Sequence, residues 1–188
     1  MDEKTRTGRR INAIQKGKRG ERQVAKLFRD TFGWDARRRM QYSGTEGVDD
    51  VAVGFDGLHV EVKFAQKWTI NDWMSQALMD CGSNLPMIMH RKSRIPWIAI
   101  WPYRMTNQLF ALLSKHITQP ERQHDLHAFM EIYGEPRRGH VYDTMLKPAI
   151  KEGGKALIVW STDCYSMGAC LATDLIWLTK LRRPDSAI

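Results

Sequence analysis

Residues 48–64 read Val-Asp-Asp-Val-Ala-Val-Gly-Phe-Asp-Gly-Leu-His-Val-Glu-Val-Lys-Phe, two apolar strand patterns around an Asp56-Gly57 turn signal. Side chains alternate across a strand, so Leu58, Val60, Val62 and Phe64 must take one face and Glu61 and Lys63 the other. Asp-Gly flanked by such alternation predicts a two-residue hairpin in which Phe55 pairs with Leu58. In that register Val53 faces Val60, Ala52 faces Glu61 and Asp50 faces Lys63. Asp50, Glu61 and Lys63 then emerge together, while Asp49 points away.

Two carboxylates on a strand diagonal lie roughly 7 Å apart at the backbone, close enough for their oxygens to grip one hard cation at about 2.1 Å. Such a cation lowers the pKa of a water and neutralises charge on a phosphate oxygen, and a neighbouring lysine can orient the water or stabilise the transition state. The plainer alternative is an exposed sheet face carrying a Glu-Lys pair. A further acid comes from upstream. Val24, Leu27, Phe28 and Phe32 recur at helical spacing over about 16–32, with Gly33 as the stop. Glu21 falls on that inward stripe, whereas Arg22, Lys26 and Arg29 face elsewhere. An inward carboxylate calls for a partner or a metal.

Charge narrows the possible partners. The net charge is +8, and residues 1–40 hold 13 lysines and arginines against 5 acids, leaving 16 of each in the rest of the 188 residues. Basic clusters around Arg19 and Arg22, and at Arg37, Arg38 and Arg39, suit phosphate contacts driven by counterion release. Residues 1–10 alone fit a solvated basic tail equally well. No run approaches the apolar length of a membrane helix, and the first ten residues lack the apolar stretch of a secretory signal, so a cytoplasmic protein is expected. Cys81, Cys164 and Cys170 lack metal-ligand spacing and read as buried thiols.

The order Gly-Glu-Arg in the first helix, Asp-Val-Ala-Val, then Glu-Val-Lys resembles the PD-(D/E)XK nucleases, and the layout is similar to archaeal-type Holliday junction resolvases of the kind bacteriophages carry. The similarity covers about residues 16–103. It includes a basic, serine-containing stretch, Arg-Arg-Arg-Met-Gln-Tyr-Ser-Gly, ahead of the aspartate. It also includes a glutamine-bearing helix followed by strands around His-Arg-Lys-Ser-Arg-Ile-Pro-Trp. The resemblance implies that Glu21, Asp50 and Glu61 hold metal, that Lys63 is the catalytic lysine, and that Ser43 and Gln76 are polar residues of the site. It implies DNA contact at Arg22. The proline that names the motif is replaced here by Asp49. Mg2+, with Mn2+ as a substitute, four-way DNA junctions and a homodimer are also implied, with no nucleotide cofactor and no membrane.

Residues 69–82 predict a helix with an apolar stripe of Ile70, Trp73, Met74, Ala77, Leu78 and Cys81, with Gln76 off its centre. Trp68 and Trp73 are read as core. Arg91, Lys92 and Arg94 form a second basic patch that suits either a solvated turn or phosphate contacts. Beyond 103, helical patterns fall at 105–116, 120–133, 141–152 and 172–181, and Lys155–Ser161 reads as a strand. His124 and His127 fit either a metal pair or surface polar residues. The expected organisation is a basic arm over 1–15, a PD-(D/E)XK core over 16–103 with a central mixed sheet flanked by helices, and a mostly helical C-terminal elaboration over 104–188. Two rival functions stand beside the junction resolvase: a nuclease of the same fold that nicks or trims DNA in phage replication, recombination or packaging, and a DNA-binding module without the chemistry.

Overall fold

The alternation at 58–64 becomes strand β3 (Leu58–Phe64) in a computed structural model that describes residues 3–39, 49–116, 129–133, 147, 155–162 and 164–172. Ahead of it come helix α1 (Glu3–Phe32) and the short strands β1 (Arg37–Arg38) and β2 (Val51–Ala52). After it come α2 (Ile70–Asp80), β4 (Leu85–Arg91), β5 (Ile98–Pro102) and α3 (Thr106–His116). The strands β6 (Phe129–Tyr133), β7 (Lys155–Ser161) and β8 (Ser166–Leu171) follow. Six of the strands form one sheet in the order β3-β4-β5-β8-β7-β6. The β3/β4 and β6/β7 pairs are parallel and the other three are antiparallel, so the sheet is mixed.

Strand alternation gives this sheet two apolar faces, and helices cover both. On one face Val60, Val62, Met87, Met89, Ala99 and Trp101 meet Val24, Phe28 and Phe32 of α1 and Leu109, Phe110 and Leu113 of α3. On the other, Ile88, Ile98, Ile100, Met167 and Ala169 meet Ile70, Trp73, Met74 and Ala77 of α2. The stripe expected for α2 is therefore the one it buries. This is the expected α/β architecture, a central mixed sheet flanked by helices. Among the described residues no helix is long and apolar enough to cross a membrane.

Several expectations need correction. The helix expected from about Lys16 begins at Glu3, because nothing in the proline-free segment before Lys16 stops it. Residues 129–133, expected to be helical, form β6; Phe-Met-Glu-Ile-Tyr is aromatic and β-branched, and it pairs in parallel with β7. The C-terminal part thus does more than add helices: β8 lies between β5 and β7 inside the same sheet. The helices expected at 141–152 and 172–181 fall outside the described residues except at Lys147 and Ala172, as do His124 and His127. Cys81 and Cys170 are buried as expected, but Cys164 is exposed.

The Asp56-Gly57 hairpin also differs. In the sheet β3 pairs with β4, in the register Leu58↔Leu85 to Phe64↔Arg91, while β2 pairs with β1 through Arg37↔Ala52 and Arg38↔Val51. The turn is widened because Phe55 leaves the strand path to stack on His116 at 3.9 Å and to meet the edge of Trp34 at 5.1 Å. Gly54 permits this path: it takes a positive φ of 81°, and a Cβ there would lie 2.9 Å from that of Asp35.

Candidate active site

Although the register differs, Asp50 still reaches the charged face of β3. Its backbone N–H donates to the Val60 carbonyl at 3.0 Å, and its carboxylate accepts the Val62 N–H at 2.8 Å. Asp50 therefore clasps β3 on either side of Glu61. Glu61 is 4% exposed, and Lys63 Nζ lies 3.0 Å from its Oε2. The same ammonium donates to Gln76 Oε1 of α2 at 2.9 Å. The sheet supplies the acids and the lysine, and α2 brings the glutamine to them.

The third acid arrives on α1, which crosses β3 closely at Gly20. A Cβ at Gly20 would stand 3.1 Å from Phe64 Cβ and 3.4 Å from Val62 and Trp97. Gly20→Val should push the helix away from the strand, destabilising the fold by about 1–3 kcal/mol. It should also weaken whatever activity depends on Glu21; a thermal melt with unchanged midpoint would refute this role for the close approach. Glu21 itself is half-buried and accepts a bond from Arg38 Nε. Arg38 sits there because β1 runs antiparallel to β2, which also lets the Arg39 N–H reach the Asp50 carbonyl at 3.1 Å.

These charges shift one another. Burial first, then the negative charges of Glu61 and Glu21, push the Asp50 carboxyl up to about 7, although the Val62 N–H and Lys63 oppose the rise. Burial also works to raise Glu61, but bonds and charges from His59 and Lys63 outweigh it and hold Glu61 low. Asp50 and Glu61 are thus adjacent acids whose combined negative charge the surroundings do not fully neutralise. That is the oxygen-donor chemistry a hard divalent cation fits, with Glu21 near enough to add to it. Among the described residues, however, no three acidic, histidine or cysteine side chains converge as a ready-made metal centre. Each acid is instead turned toward a protein partner: Glu21 toward Arg38, Glu61 toward Lys63, and Asp50 toward a backbone N–H.

His59 and Asp49 were not foreseen here. His59 lies on the charged face two residues before Glu61, 1% exposed, with Nδ1 2.6 Å from Asp49 Oδ1 and Nε2 3.4 Å from Glu61 Oε1. Burial lowers its pKa, but the two carboxylates more than reverse this and raise it to about 9. Asp49 therefore does not point away; it faces the cluster through His59. The signal in the sequence was strand parity, which places His59 with Glu61 and Lys63.

The expected DNA-contacting residues separate into two groups. Arg38 turns inward to Glu21, while Arg22, Arg37 and Arg39 are exposed, Arg39 with its Nη2 3.8 Å from Asp49. At the C-terminal end of β4, Arg91 packs over Phe64 and Trp97 and donates to Gln23 at 3.3 Å. Burial and the nearby positive charge of Arg19 lower its pKa. Arg19 and Arg94 are exposed, Lys92 is half-buried, and Ser43 falls outside the described residues. Trp73 is buried, with the rings of Trp68 and His90 against it, in keeping with a core role.

Residues 12–134 match the family model described as "Phage putative PDDEXK endonuclease". The chain belongs to this family. The match spans the acids on α1, β2 and β3 and the α2 glutamine, so the PD-(D/E)XK resemblance holds for the segment that builds the cluster. No curated protein and no solved structure matches the chain.

Proposed function

We propose that this PD-(D/E)XK chain is a Mg2+-dependent DNA endonuclease that hydrolyses phosphodiesters at four-way junctions. The observation that carries the nuclease reading is the convergence of Asp50 and Glu61 with Lys63 and Gln76 on one face of β3. In this reading Asp50, Glu61 and Glu21 hold the cation, with Mn2+ able to replace Mg2+. Bound there, a divalent cation supplies Lewis-acid chemistry, activating water and neutralising phosphate charge. Lys63, held between Glu61 and Gln76, presents its ammonium protons to the charge that develops on the phosphate oxygens. Asp50 stays fixed by the Val62 N–H and Glu61 by its burial, whereas Glu21 would have to leave Arg38 to join them.

The junction preference rests on the resemblance to resolvases over 16–103, which also implies a homodimer cutting paired strands in the cytoplasm of a host cell. Exposed Arg19, Arg22, Arg37 and Arg94, with Arg91 and Lys92 beside them, supply phosphate contacts that read shape rather than bases. The resemblance adds Ser43 as a DNA-contacting residue. The test is cleavage, with Mg2+, of a synthetic four-way junction against a linear duplex of the same sequence. Paired nicks in the junction at a rate at least about 100-fold higher are expected. Equal cutting of both substrates would leave a nuclease of other specificity, and binding without cutting would leave a DNA-binding module.

A further inference from the structure

We infer that Asp49 and His59 form a positioning pair that sets which oxygen of Glu61 faces the cation. This rests on the reading of Glu61 as a cation ligand. The imidazole is 1% exposed and lies between two carboxylates, 2.6 Å from Asp49 and 3.4 Å from Glu61. A carboxylate cannot donate a proton, so both ring nitrogens must carry one to face these partners favourably. Asp49 fixes the ring through Nδ1. Nε2 is left buried without a hydrogen-bond partner of good geometry, aimed at Glu61 Oε1. A buried donor in that state loses its water without replacing it, and a small rotation of Glu61 would close the gap.

The two oxygens of Glu61 thus have different neighbours. Oε1 faces the buried His59, whereas Oε2 faces Lys63, which also reaches Gln76. Once that gap closes and the imidazole engages Oε1, Oε2 is the oxygen left to the lysine and, in this reading, to the cation. The carboxylate is thereby kept from rotating between one-oxygen and two-oxygen ligation. Groups that orient metal-ligating side chains in this way typically change metal affinity by about 10–100-fold when removed. Asp49, which occupies the position of the motif's proline, gains a role a proline could not perform.

Two substitutions separate the halves of the imidazole. His59→Asn keeps a polar group near Nδ1, where Asp49 is, and removes the donor to Glu61; His59→Gln keeps a donor near Nε2. Mn2+ binding to the full chain is measured calorimetrically at pH 8, alongside thermal melts without metal and the Mg2+ dependence of cleavage. His59→Asn is expected to weaken Mn2+ binding by about 10–100-fold, and His59→Gln by less than about 5-fold. Equal weakening by both would show that the ring only fills space and would overturn the pairing, as would wild-type affinity in a folded His59→Asn. If His59→Asn does not fold, Asp49→Asn, at a half-buried position, decides: about 3–10-fold weaker Mn2+ binding supports the pair and unchanged binding removes it. Wild-type protein that binds no Mn2+, or binds it no better than Asp50→Asn, would instead defeat the metal reading itself, and the positioning pair with it.

Discussion

Asp50→Asn is expected to abolish metal-dependent cleavage, by at least about 1,000-fold, while making the metal-free protein more stable near neutral pH. The loss of activity follows from removing one of two adjacent acids proposed to hold the cation. The gain in stability follows from the Asp50 carboxyl, which burial and the charges of Glu61 and Glu21 push from 3.8 up to about 7. A carboxyl with a raised folded pKa binds more protons in the native than in the unfolded state between those values. Stability therefore falls as pH rises from about 4 to about 7, and above that the ionised Asp50 carries its full unfavourable contribution. Asparagine has no such charge, yet its side-chain carbonyl can still accept the Val62 N–H. A gain on the order of 1–3 kcal/mol is expected at pH 8, shrinking toward pH 5, with DNA binding retained. Divalent cations should raise the melting temperature of the wild type at pH 8 and leave Asp50→Asn nearly unmoved. A variant that still cleaves, or one no more stable than wild type at pH 8, would remove Asp50 from the centre of the site.

How much of this was visible beforehand depends on which physical rule governs each residue. The sidedness of β3 follows from strand parity alone, so the separation of Leu58, Val60 and Val62 from Glu61 and Lys63 was legible. The stripe of α2 and the inward position of Glu21 follow from helical periodicity in the same way. The β2–β3 register was not legible, because it depends on where Phe55 goes. Its partners Trp34 and His116 lie 21 and 61 residues away in sequence, and no local turn rule includes them. The inward turn of Arg38 was hidden for the same reason: it needs the β1/β2 pairing, which two-residue strands do not announce. After α3 the strand at Lys155–Ser161 was legible, whereas β6 was not, because an apolar segment bounded by charges suits either period and only pairing with β7 decides for Phe129–Tyr133. Asp49 was assigned by analogy with a proline, and a steric analogy says nothing of a partner such as His59.

Lys63 carries the second large effect, and it acts jointly with Gln76. Lys63→Met should lower the cleavage rate by roughly 100–1,000-fold, because the ammonium is the only Lys or Arg group among the described residues that an ion pair places on Glu61. Metal binding should survive the change. The Glu61 carboxylate loses a competing positive charge, so its affinity for Mg2+ should hold or rise even as turnover collapses. Gln76 holds the lysine from α2 at 2.9 Å but is itself exposed, and Gln76→Ala should cost only about 10-fold. If that smaller effect works through the lysine, it should vanish in the Lys63→Met background, since a group that orients another has nothing left to orient. Measuring cleavage rate and Mn2+ affinity across the four proteins of this cycle distinguishes the possibilities. Additive losses would give Gln76 its own contact with DNA. Lost metal affinity in Lys63→Met would make the lysine a structural support of Glu61, because an ammonium acting on the reacting phosphate leaves cation binding no weaker when it is removed.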